Sequence, residues 1–277
     1  MVGVDFVRFD SKKPPIWSMG RSLRRVYDQR VLIRAFISRD FRLQYHGSFL
    51  GYLWSILEPL FLTVIFYVVF VMLRDADDPL MPLKIMVGLL IFSAFSSTVQ
   101  TCTTSIVKNA GLMKQVYFPR EVFGFSVAGF QILKVSLSFL IVIPYMALSD
   151  LAPTALMFAL PFSILGIVLL ALGIGFITSI LHAHIRDTGQ VIGLLLRAMF
   201  FISGVFFSAE HIPEEFLEWH LLNPVATYLE LGRAAVLGEM GVLEPIHLVR
   251  AGLISVVTFS LGLMFFSRNE RGTIRVI

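Results

Sequence analysis

The chain has 277 residues, of which 56% are hydrophobic and only 15% are charged, and its formal net charge is +4. Because soluble domains carry about 25% charged residues, this composition excludes a soluble globular protein and a globular protein with a single anchor. The one cysteine, Cys102, lies in an apolar run and has no intrachain disulfide partner. We therefore predict an all-α, multi-pass membrane protein of the plasma (inner) membrane.

Residues 1–48 are predicted to be a cytoplasmic N-terminus. They contain ten Lys or Arg and no apolar segment of the kind found in cleavable signal peptides. From Arg21 to Gln44 the spacing predicts an amphipathic helix, whose apolar side would carry Leu23, Val26, Tyr27, Ile33, Ile37, Phe41 and Tyr45. Two interpretations remain open for this segment: a helix lying in the membrane interface, or a plain positively charged anchor.

The first transmembrane helix is predicted at 49–73, a run of twenty-five residues with one charge, Glu58. About twenty apolar residues cross the roughly 30 Å hydrocarbon core of a bilayer. Gly47 and Gly51, four residues apart, allow another helix to approach the start of this span closely. Pro59 has no N–H, so it frees a backbone carbonyl that must find another hydrogen-bond donor.

Five further apolar runs follow, so the predicted transmembrane domain covers 49–267 and leaves a short tail at 268–277. The predicted spans are 49–73, 83–107, 122–148, 154–181, 188–207 and 247–267. An even number of spans places both termini on the same side of the membrane.

The distribution of Lys and Arg gives the orientation. The N-terminal 48 residues hold ten, the loop 108–121 three, the turn 182–187 one and the tail three, a total of seventeen on one side. The loops of the other side are mainly acidic. Because positively charged loops stay in the cytoplasm, both termini are predicted to be cytoplasmic.

The long external loop, Ser208–Ile246, contains two short segments with helical apolar spacing, separated by Asn223-Pro224. Neither is long enough to cross a bilayer. We predict two short amphipathic helices that dip into the outer leaflet.

Three charges lie deep inside predicted spans, Glu58, Lys134 and Arg197, whereas Lys84 and Arg250 lie near the outer ends of theirs. Counted from the cytoplasmic ends, Glu58 and Arg197 are roughly 14 Å deep and Lys134 roughly 18–20 Å deep. An intramembrane charge is costly and usually functional or paired. Two interpretations are open: a polar point on a substrate path, or a Glu58–Arg197 ion pair that joins the first and fifth spans.

Motifs for covalent chemistry are missing from the sequence: there is no phosphate-binding G-x-x-x-x-G-K-[ST] loop, no Cys/His metal spacing and no G-x-S-x-G elbow. The cytoplasmic carboxylates stand alone, and Asp40, Glu121 and Asp187 each follow an arginine, which predicts local ion pairs or helix caps. We predict no catalytic residue and no bound metal or cofactor in this chain.

Four stretches together resemble the ABC-2 type permeases of polysaccharide export, which carry O-antigen, capsule and teichoic acid glycans. They are RDFRLQYHGSFLGYLWSILEPL, NAGLMKQVYFPRE, the short HIRD turn and LLNPVATYLELGR. The resemblance covers about Arg21 to Ile277.

The resemblance implies a homodimer that binds two copies of a separate ATPase subunit, which holds the ATP and Mg²⁺. The cargo would be a glycan on a polyprenyl diphosphate carrier, and the only other contacts would be membrane lipid, with no nucleic acid. The external pair of helices would form a gate, and spans one and five would line the channel.

The same resemblance assigns residues to each of these roles. ATPase coupling is expected at Lys108, Asn109, Lys114, Tyr117, Phe118, Pro119 and Arg120. The interface helix is expected to act through Arg34, Arg39, Asp40, Arg42 and Tyr45. The channel candidates are Tyr52, Trp54, Glu58, Arg197, Phe200 and Phe201. The external gate is expected to use Pro213, Trp219, Asn223, Pro224 and Tyr228.

Three alternatives remain open from the sequence. An ABC-2 exporter of a drug, lipid or peptide would have the same fold. A membrane enzyme acting on lipid-linked sugar would need a metal or nucleophile cluster, and a channel would need a repeated ring-forming polar motif. The sequence contains neither of these last two features.

Overall fold

A computed structural model describes residues 15–74, 78–115 and 118–273, and within these ranges the chain is mainly helical. The twelve α-helices of the described residues are α1 (Pro15–Asp28), α2 (Arg30–Tyr45), α3 (Trp54–Arg74), α4 (Met81–Lys108), α5 (Ala110–Gln115), α6 (Glu121–Ser138), α7 (Val142–Leu148), α8 (Ala159–His184), α9 (Thr188–Ile202), α10 (Glu214–Leu221), α11 (Pro224–Leu237) and α12 (Pro245–Thr273). Short 3₁₀ turns precede α3, α7 and α8. The predicted all-α fold is confirmed.

Five helical segments among the described residues are long and apolar enough to cross a membrane. They are Gly51–Val69, Met81–Lys108, Glu121–Leu148, Ala155–His184 and Pro245–Glu270. They match five of the six predicted spans to within a few residues.

The remaining predicted span, 188–207, contains a helix of only 15 residues, α9. At 1.5 Å per residue α9 is about 22 Å long, which is shorter than the hydrocarbon core. The chain leaves the helix at Ser203 and turns through Gly204, whose φ is +72°. The count of six spans therefore stays a prediction.

The core lies around α8, which packs between α4 and α12, with α11 against both α4 and α8. The hydroxyls of Thr103 and Thr178 meet at 2.6 Å between α4 and α8. Between α8 and α12 the backbones touch, since a methyl group on Gly262 would overlap the carbonyl of Gly173. Small residues and hydroxyls at such contacts are typical of helix packing in membranes, where apolar burial gives little driving force.

Pro59 lies inside α3 and leaves the carbonyl of Ser55 without a donor from its own helix. The Ser138 hydroxyl of α6 donates to this carbonyl at 2.8 Å. The prediction that the freed carbonyl finds another partner is confirmed. The bond also fastens the start of α3, a helix that is otherwise poorly buried, to α6.

The third span is interrupted. α6 ends at Ser138, a 3₁₀ turn covers Phe139–Ile141, and α7 begins at Val142. Pro144 explains the break, because a proline fits only the first turn of a helix without clashing with the preceding backbone.

The predicted single N-terminal helix is instead two helices, α1 and α2, separated at Gln29. α2 packs on α6, where Phe36 is buried against Phe118 and Phe123, with ring centroids 6.2 and 5.4 Å away. The apolar side was partly mispredicted, since Tyr27 is 68% exposed and Phe36 is buried. The break explains the difference: a change of direction at Gln29 ends the common face that a continuous helix would have.

The external loop forms two helices, α10 and α11, as predicted. Asn223 caps α11 by accepting a hydrogen bond from the Val225 N–H at 3.0 Å, and Pro224 follows in the first turn. The predicted position in the outer leaflet fits α10, which exposes Phe216 and Trp219, but is wrong for α11, where Val225–Val236 are all buried. α11 packs inside the bundle because small and apolar residues occupy every side of it.

Candidate functional site

One cavity of about 510 Å³ lies between α3, α4, α6 and α9, and all three intramembrane charges line it. Each helix contributes residues at helical spacing: positions 55, 58, 59, 62 and 66 of α3 share one face, as do 131, 134, 135 and 138 of α6. Glu58, Lys134 and Arg197 therefore come from three different helices. We call this space the charged cavity.

No ion pair or hydrogen bond satisfies these three side chains within the described part of the chain. All ion pairs found among those residues involve other groups, so Glu58 and Arg197 do not pair within one chain. The ion-pair interpretation is wrong for a single chain, although similar depth did bring both residues to one cavity. Their separation leaves each charge accessible from the cavity.

Gln131 is a further polar group of the charged cavity that the sequence analysis missed. It lies one turn from Lys134 on α6, is only 5% exposed, and makes no hydrogen bond within the described chain. Its amide is open to the cavity and can hydrogen-bond to a molecule that occupies this space. The signal was its spacing, three residues before a charge inside an apolar span.

Serine hydroxyls add acceptors to the same walls. Ser55, Ser93 and Ser138 line the charged cavity while their hydroxyls donate to backbone carbonyls at 2.7, 2.8 and 2.8 Å. Each hydroxyl oxygen still has lone pairs with which it can accept a hydrogen bond. Ser96 and Ser97 line the cavity as well.

Phenylalanine rings form part of the wall of the charged cavity. Phe200 packs against Phe66, Phe92 and Phe201, with ring centroids 6.2, 5.2 and 5.5 Å away. These rings lie near the ends of α3 and α9 that are remote from the cytoplasmic face predicted above. The cavity thus combines charges and hydroxyls with an aromatic wall.

A second buried polar centre holds the turn after α9. Arg233 of α11 is 2% exposed and donates to four backbone carbonyls, those of Lys84, Gly204, Val205 and Phe207, at 2.7–3.0 Å. Its remaining hydrogen bond, 2.6 Å long, goes to Glu230 one turn earlier. The guanidinium thus makes five hydrogen bonds, as many as it has N–H groups.

Glu230 completes this centre by accepting from the backbone N–H of Ala209 at 3.0 Å and from the Ser208 hydroxyl at 3.3 Å. Non-helical backbone is tolerated at membrane depth only where protein satisfies its polar groups. The Glu230–Arg233 pair thus fixes the 203–209 turn. The sequence analysis placed both residues in an external loop and missed this role, although their spacing of three was visible.

On the external side, Glu218 of α10 joins α12 through His247 and Arg250, at 3.0 and 3.4 Å. The Glu244 N–H donates to His247 Nδ1 at 3.1 Å, which puts the ring proton on Nε2, where it can be donated to Glu218. The hydrogen bond from His247 lowers the pKa of the Glu218 carboxyl, and Arg250 adds to the effect.

On the opposite side, Glu121 starts α6 and is fully buried. It was expected to pair with Arg120, but it contacts Arg25 of α1 at 3.3 Å and the Ser267 hydroxyl of α12 at 3.2 Å. Arg120 instead approaches Glu270 of α12, donating to its carbonyl at 3.1 Å. The prediction of a sequence-local pair fails here because α1 and α12 converge on the start of α6.

The predicted coupling segment contains the short helix α5, which includes Lys114, and Asn109 caps the preceding helix α4. Lys108 is exposed, and Phe118 packs on Phe36 and Phe123. Tyr117 lies outside the described residues. Pro119 and Arg120 lie directly before α6.

The predicted interface residues all lie in α2, with Tyr45 as its last residue. Arg34 and Arg42 are exposed, while Arg39 pairs with Asp40 at 2.7 Å and lies 4.6 Å above the Phe36 ring. The expectation of a local ion pair is confirmed at Asp40.

Of the six channel candidates, Glu58, Arg197, Phe200 and Phe201 line the charged cavity, and Tyr52 and Trp54 do not. Tyr52 packs on Phe41 of α2 and Trp54 is 45% exposed at the start of α3. Tyr52 and Trp54 do not reach the cavity because both precede Ser55, the first residue of α3 that lines it.

The gate candidates divide between two environments. Pro213 and Trp219 are exposed at α10. Asn223 and Pro224 start α11, and the Tyr228 hydroxyl is hydrogen-bonded to Ser255 of α12 at 2.9 Å. Among the described residues, no group of three or more His, Cys, Asp or Glu is placed to hold a metal ion.

Comparison with known proteins gives a consistent result. The sequence profile of the family described as ABC-2 type transporter matches residues 31–237. The chain is 27% identical over 212 residues to the O-antigen export system permease protein RfbA of Klebsiella pneumoniae, covering 76% of this chain and 81% of that protein. It is 28% identical over 250 residues to the polysialic acid transport protein KpsM of Escherichia coli, covering 87% and 95%. It is also 24% identical over 255 residues to the capsule polysaccharide export inner-membrane protein CtrC of Neisseria meningitidis serogroup B, covering 88% and 93%.

Proposed function

The chain belongs to the ABC-2 type transporter family, and we propose that it is the membrane permease of a polysaccharide exporter. The three relatives described above are named for the export or transport of O-antigen, polysialic acid and capsule polysaccharide. Their common cargo is a polysaccharide, although the individual glycans differ. This supports polysaccharide over the drug, lipid or peptide cargo that the fold alone leaves open.

The charged cavity is the observation that carries the proposal. It brings the three charges that lie deep in the predicted spans together with hydroxyls and phenyl rings in one space between helices. Carbohydrates need hydrogen-bonding groups for their hydroxyls and aromatic faces for their C–H surfaces. A path for an apolar drug or lipid would have no use for three charges, each of which is costly in a membrane.

A separate ATPase subunit supplies the energy in this proposal, because the sequence has no phosphate-binding loop. The segment 108–120 would contact that subunit through α5. Glu121 contacts α1 and α12, and Arg120 contacts α12. These contacts support the idea that a movement of this segment, caused by the ATPase, displaces α1, α6 and α12 together. ATP and Mg²⁺ would bind to the partner and not to this chain.

The complete transporter would be a homodimer with two ATPase subunits in the inner membrane, with both termini in the cytoplasm. The cargo would be a glycan linked to a polyprenyl diphosphate. The exposed apolar face of α3 supports an arrangement with further protein or lipid beside it, since residues such as Phe61, Val64 and Ile65 are more than half exposed.

Export in cells tests the function. A strain lacking this gene is complemented with the parent chain or with Ser93→Trp, which fills the charged cavity, and surface polysaccharide is measured. Phe162→Trp, an exposed position on α8, is the matched control. We expect export with the parent and the control and its loss with Ser93→Trp at equal protein level. Equal export by all three would contradict a path through this cavity, and restored drug resistance in place of surface glycan would favour the alternative cargo.

Coupling is tested by Arg120→Ala in the complex with the ATPase. Hydrolysis is expected to appear only when the two proteins are purified together, and the variant is expected to hydrolyse ATP while exporting less glycan per ATP. Normal export per ATP with the variant would remove this segment from the coupling path.

Orientation is tested by single cysteines and a membrane-impermeant thiol reagent in intact cells. A cysteine at Glu214 is expected to react and one at Lys114 is not. Labelling at Lys114 would overturn the proposed topology.

A further inference from the structure

We infer that the charged cavity binds an oxyanion carried on a carbohydrate, with Lys134 and Arg197 as the residues that take the anion. The inference rests on the proposed function for the carbohydrate nature of the cargo and adds the chemistry of the group that is bound. It follows from the arrangement of charges, amide and hydroxyls in one cavity.

The two cations reach the cavity from different helices, Lys134 from α6 and Arg197 from α9, and neither has an anionic partner within the described chain. A guanidinium presents a planar fork of donors that fits a carboxylate or phosphate, and an ammonium adds a point charge. Cations without partners among the described residues, in a cavity with low-dielectric walls, attract an oxyanion more strongly than the same groups on a surface in water.

The carboxylate of Glu58 decides what kind of molecule carries that oxyanion. It lines the same cavity and repels a bare anion, so the formal charge of the three side chains is only +1. A carboxylate is, however, a strong acceptor for hydroxyl groups. Two cations beside one free acceptor thus match a molecule that has both a negative group and hydroxyls.

Gln131 provides independent support. Its side chain is 5% exposed, lines the cavity and has no hydrogen-bond partner in the described chain. The amide is open to the cavity, where it can hydrogen-bond to a molecule that occupies this space. The amide offers both donors and an acceptor, which suits a sugar hydroxyl that acts as acceptor and donor.

Depth restricts where the oxyanion would lie. Lys134 is thirteen residues into α6 and Arg197 nine residues into α9, which places them roughly 20 and 14 Å along their helices. A group bound there is inside the hydrocarbon zone and cannot be a headgroup at the membrane surface. The oxyanion belongs either to an acidic sugar or to the diphosphate that joins a glycan to its lipid carrier.

A thiol reporter inside the cavity measures its electrostatic preference. Ser97→Cys is made in the full chain in lipid nanodiscs, and its modification rates by an anionic sulfonate and a cationic trimethylammonium methanethiosulfonate are compared. The parent chain is the control for background, since its only cysteine, Cys102, is 1% exposed. We expect the anionic reagent to react faster than the cationic reagent of similar size.

Charge variants then assign that preference to residues. Lys134→Gln and Arg197→Gln are each expected to lower the ratio of anionic to cationic rate by at least about tenfold, because one charge about 10 Å away at an effective dielectric constant of about 40 changes the two rates about fourfold each, in opposite directions. Glu58→Gln is expected to raise it by a similar factor, and Lys134→Arg to restore it. Arg268→Gln, an exposed cation on α12 outside the cavity, is the matched control with no change. A ratio that responds equally to Arg268→Gln and Lys134→Gln would overturn the inference.

Competition identifies the ligand and separates its two sources. Glucuronate, glucose and inorganic diphosphate are each added during labelling of the Ser97→Cys protein. Slower labelling with glucuronate and not with glucose assigns the site to an acidic sugar, and slower labelling with diphosphate alone assigns it to the carrier linkage. Equal effects of glucose and glucuronate, or no effect of any of the three, would overturn the inference.

Export by the labelled Ser97→Cys variant distinguishes failure of the proposed function from failure of the oxyanion inference. If export continues when the thiol of the Ser97→Cys variant carries a bulky maleimide in the complete transporter, the cavity is not on the export path, whatever its preference for anions. If the adduct stops export while the charge variants leave the rate ratio unchanged, the function stands and the oxyanion site is lost.

Discussion

Two polar regions of this protein lie among apolar helices and differ in how their charges are satisfied. At the 203–209 turn, Arg233 donates five hydrogen bonds, and Glu230 accepts three. In the charged cavity, Glu58, Lys134 and Arg197 have no partner within the described chain. The first region contains a closed network, and the second leaves its charges open to a cavity.

The two regions require different explanations for a charge in a membrane helix. The Glu230–Arg233 pair is explained by its hydrogen bonds to the backbone of the 203–209 turn. Removing either partner leaves the other as a buried charge without a counter-charge. A charge that has no partner among the described residues and lines a cavity is available to a molecule that enters the cavity, and intramembrane charges of this kind mark substrate paths. Stability should therefore depend on Arg233, and transport should depend on Lys134 and Arg197.

The largest effect on stability is expected for Arg233→Met. The change removes the Arg233 donors from four backbone carbonyls and leaves the buried Glu230 carboxylate without its counter-charge, and breaking such a pair costs about 3–5 kcal/mol. We expect membrane yield and the melting temperature of the purified protein to fall sharply. Arg250→Met is the matched control, because Arg250 pairs with a Glu218 side chain that is 67% exposed, and solvent screening makes such pairs weak. Equal losses in the two variants would show that the buried Arg233 network contributes no more to stability than an exposed ion pair.

A smaller effect is expected at the junction between the cavity wall and the core. Ser138→Ala removes the donor to the Ser55 carbonyl that Pro59 leaves free, and a lost hydrogen bond of this kind costs about 1–2 kcal/mol. The melting temperature should fall by a few degrees. Ser136→Ala, an exposed serine on another face of the same helix, should leave it unchanged. A Ser138→Ala protein as stable as the parent would show that the Ser55 carbonyl finds another donor.

The smallest effect is expected from pH at the external helix α10. The His247 hydrogen bond lowers the pKa of Glu218, and burial lowers the pKa of His220. Both groups bind protons more readily when unfolded, so their contribution is complete above the unfolded values of about 6.5 for His and about 4.3 for Glu. It is lost as pH falls through the lower folded values. The protection factors of the α10 amides, which correct the exchange rate for its intrinsic dependence on pH, should fall stepwise below about pH 6.5, and Glu218→Gln should abolish the more acidic step. Protection factors that stay constant from neutrality down to about pH 4 would contradict this assignment.

The sequence alone predicted the elements whose signal is local. The span limits follow from the lengths of apolar runs, and Glu58, Lys134 and Arg197 stand out as charges within them. Pro59 predicted a carbonyl in need of a donor, but could not identify Ser138, because that partner is 83 residues away. The long external loop was misjudged in part, since α11 was predicted to lie in the outer leaflet and is buried in the bundle.

The two polar centres also depend on partners that are distant in the sequence and could not be predicted from it. Glu230 and Arg233 form a one-turn pair that is visible in the sequence, yet their role depends on the carbonyls of Lys84 and Gly204, which only tertiary structure brings together. Gln131 became meaningful only when the fold placed it in one cavity with Arg197 of another helix. Charge counting found the right residues, but their grouping required the packing of α3, α6 and α9.

The most direct test of the account compares export with protein level for the two classes of variant. Export per molecule of assembled transporter is measured in cells for Lys134→Gln, Arg197→Gln and Arg233→Met, with quantified membrane protein. We predict that Lys134→Gln and Arg197→Gln accumulate like the parent and export at least about tenfold less polysaccharide per molecule, as for the loss of one charge interaction in the cavity. We also predict that the Arg233→Met protein that does accumulate exports normally. Export that follows protein level in all three variants would contradict the account.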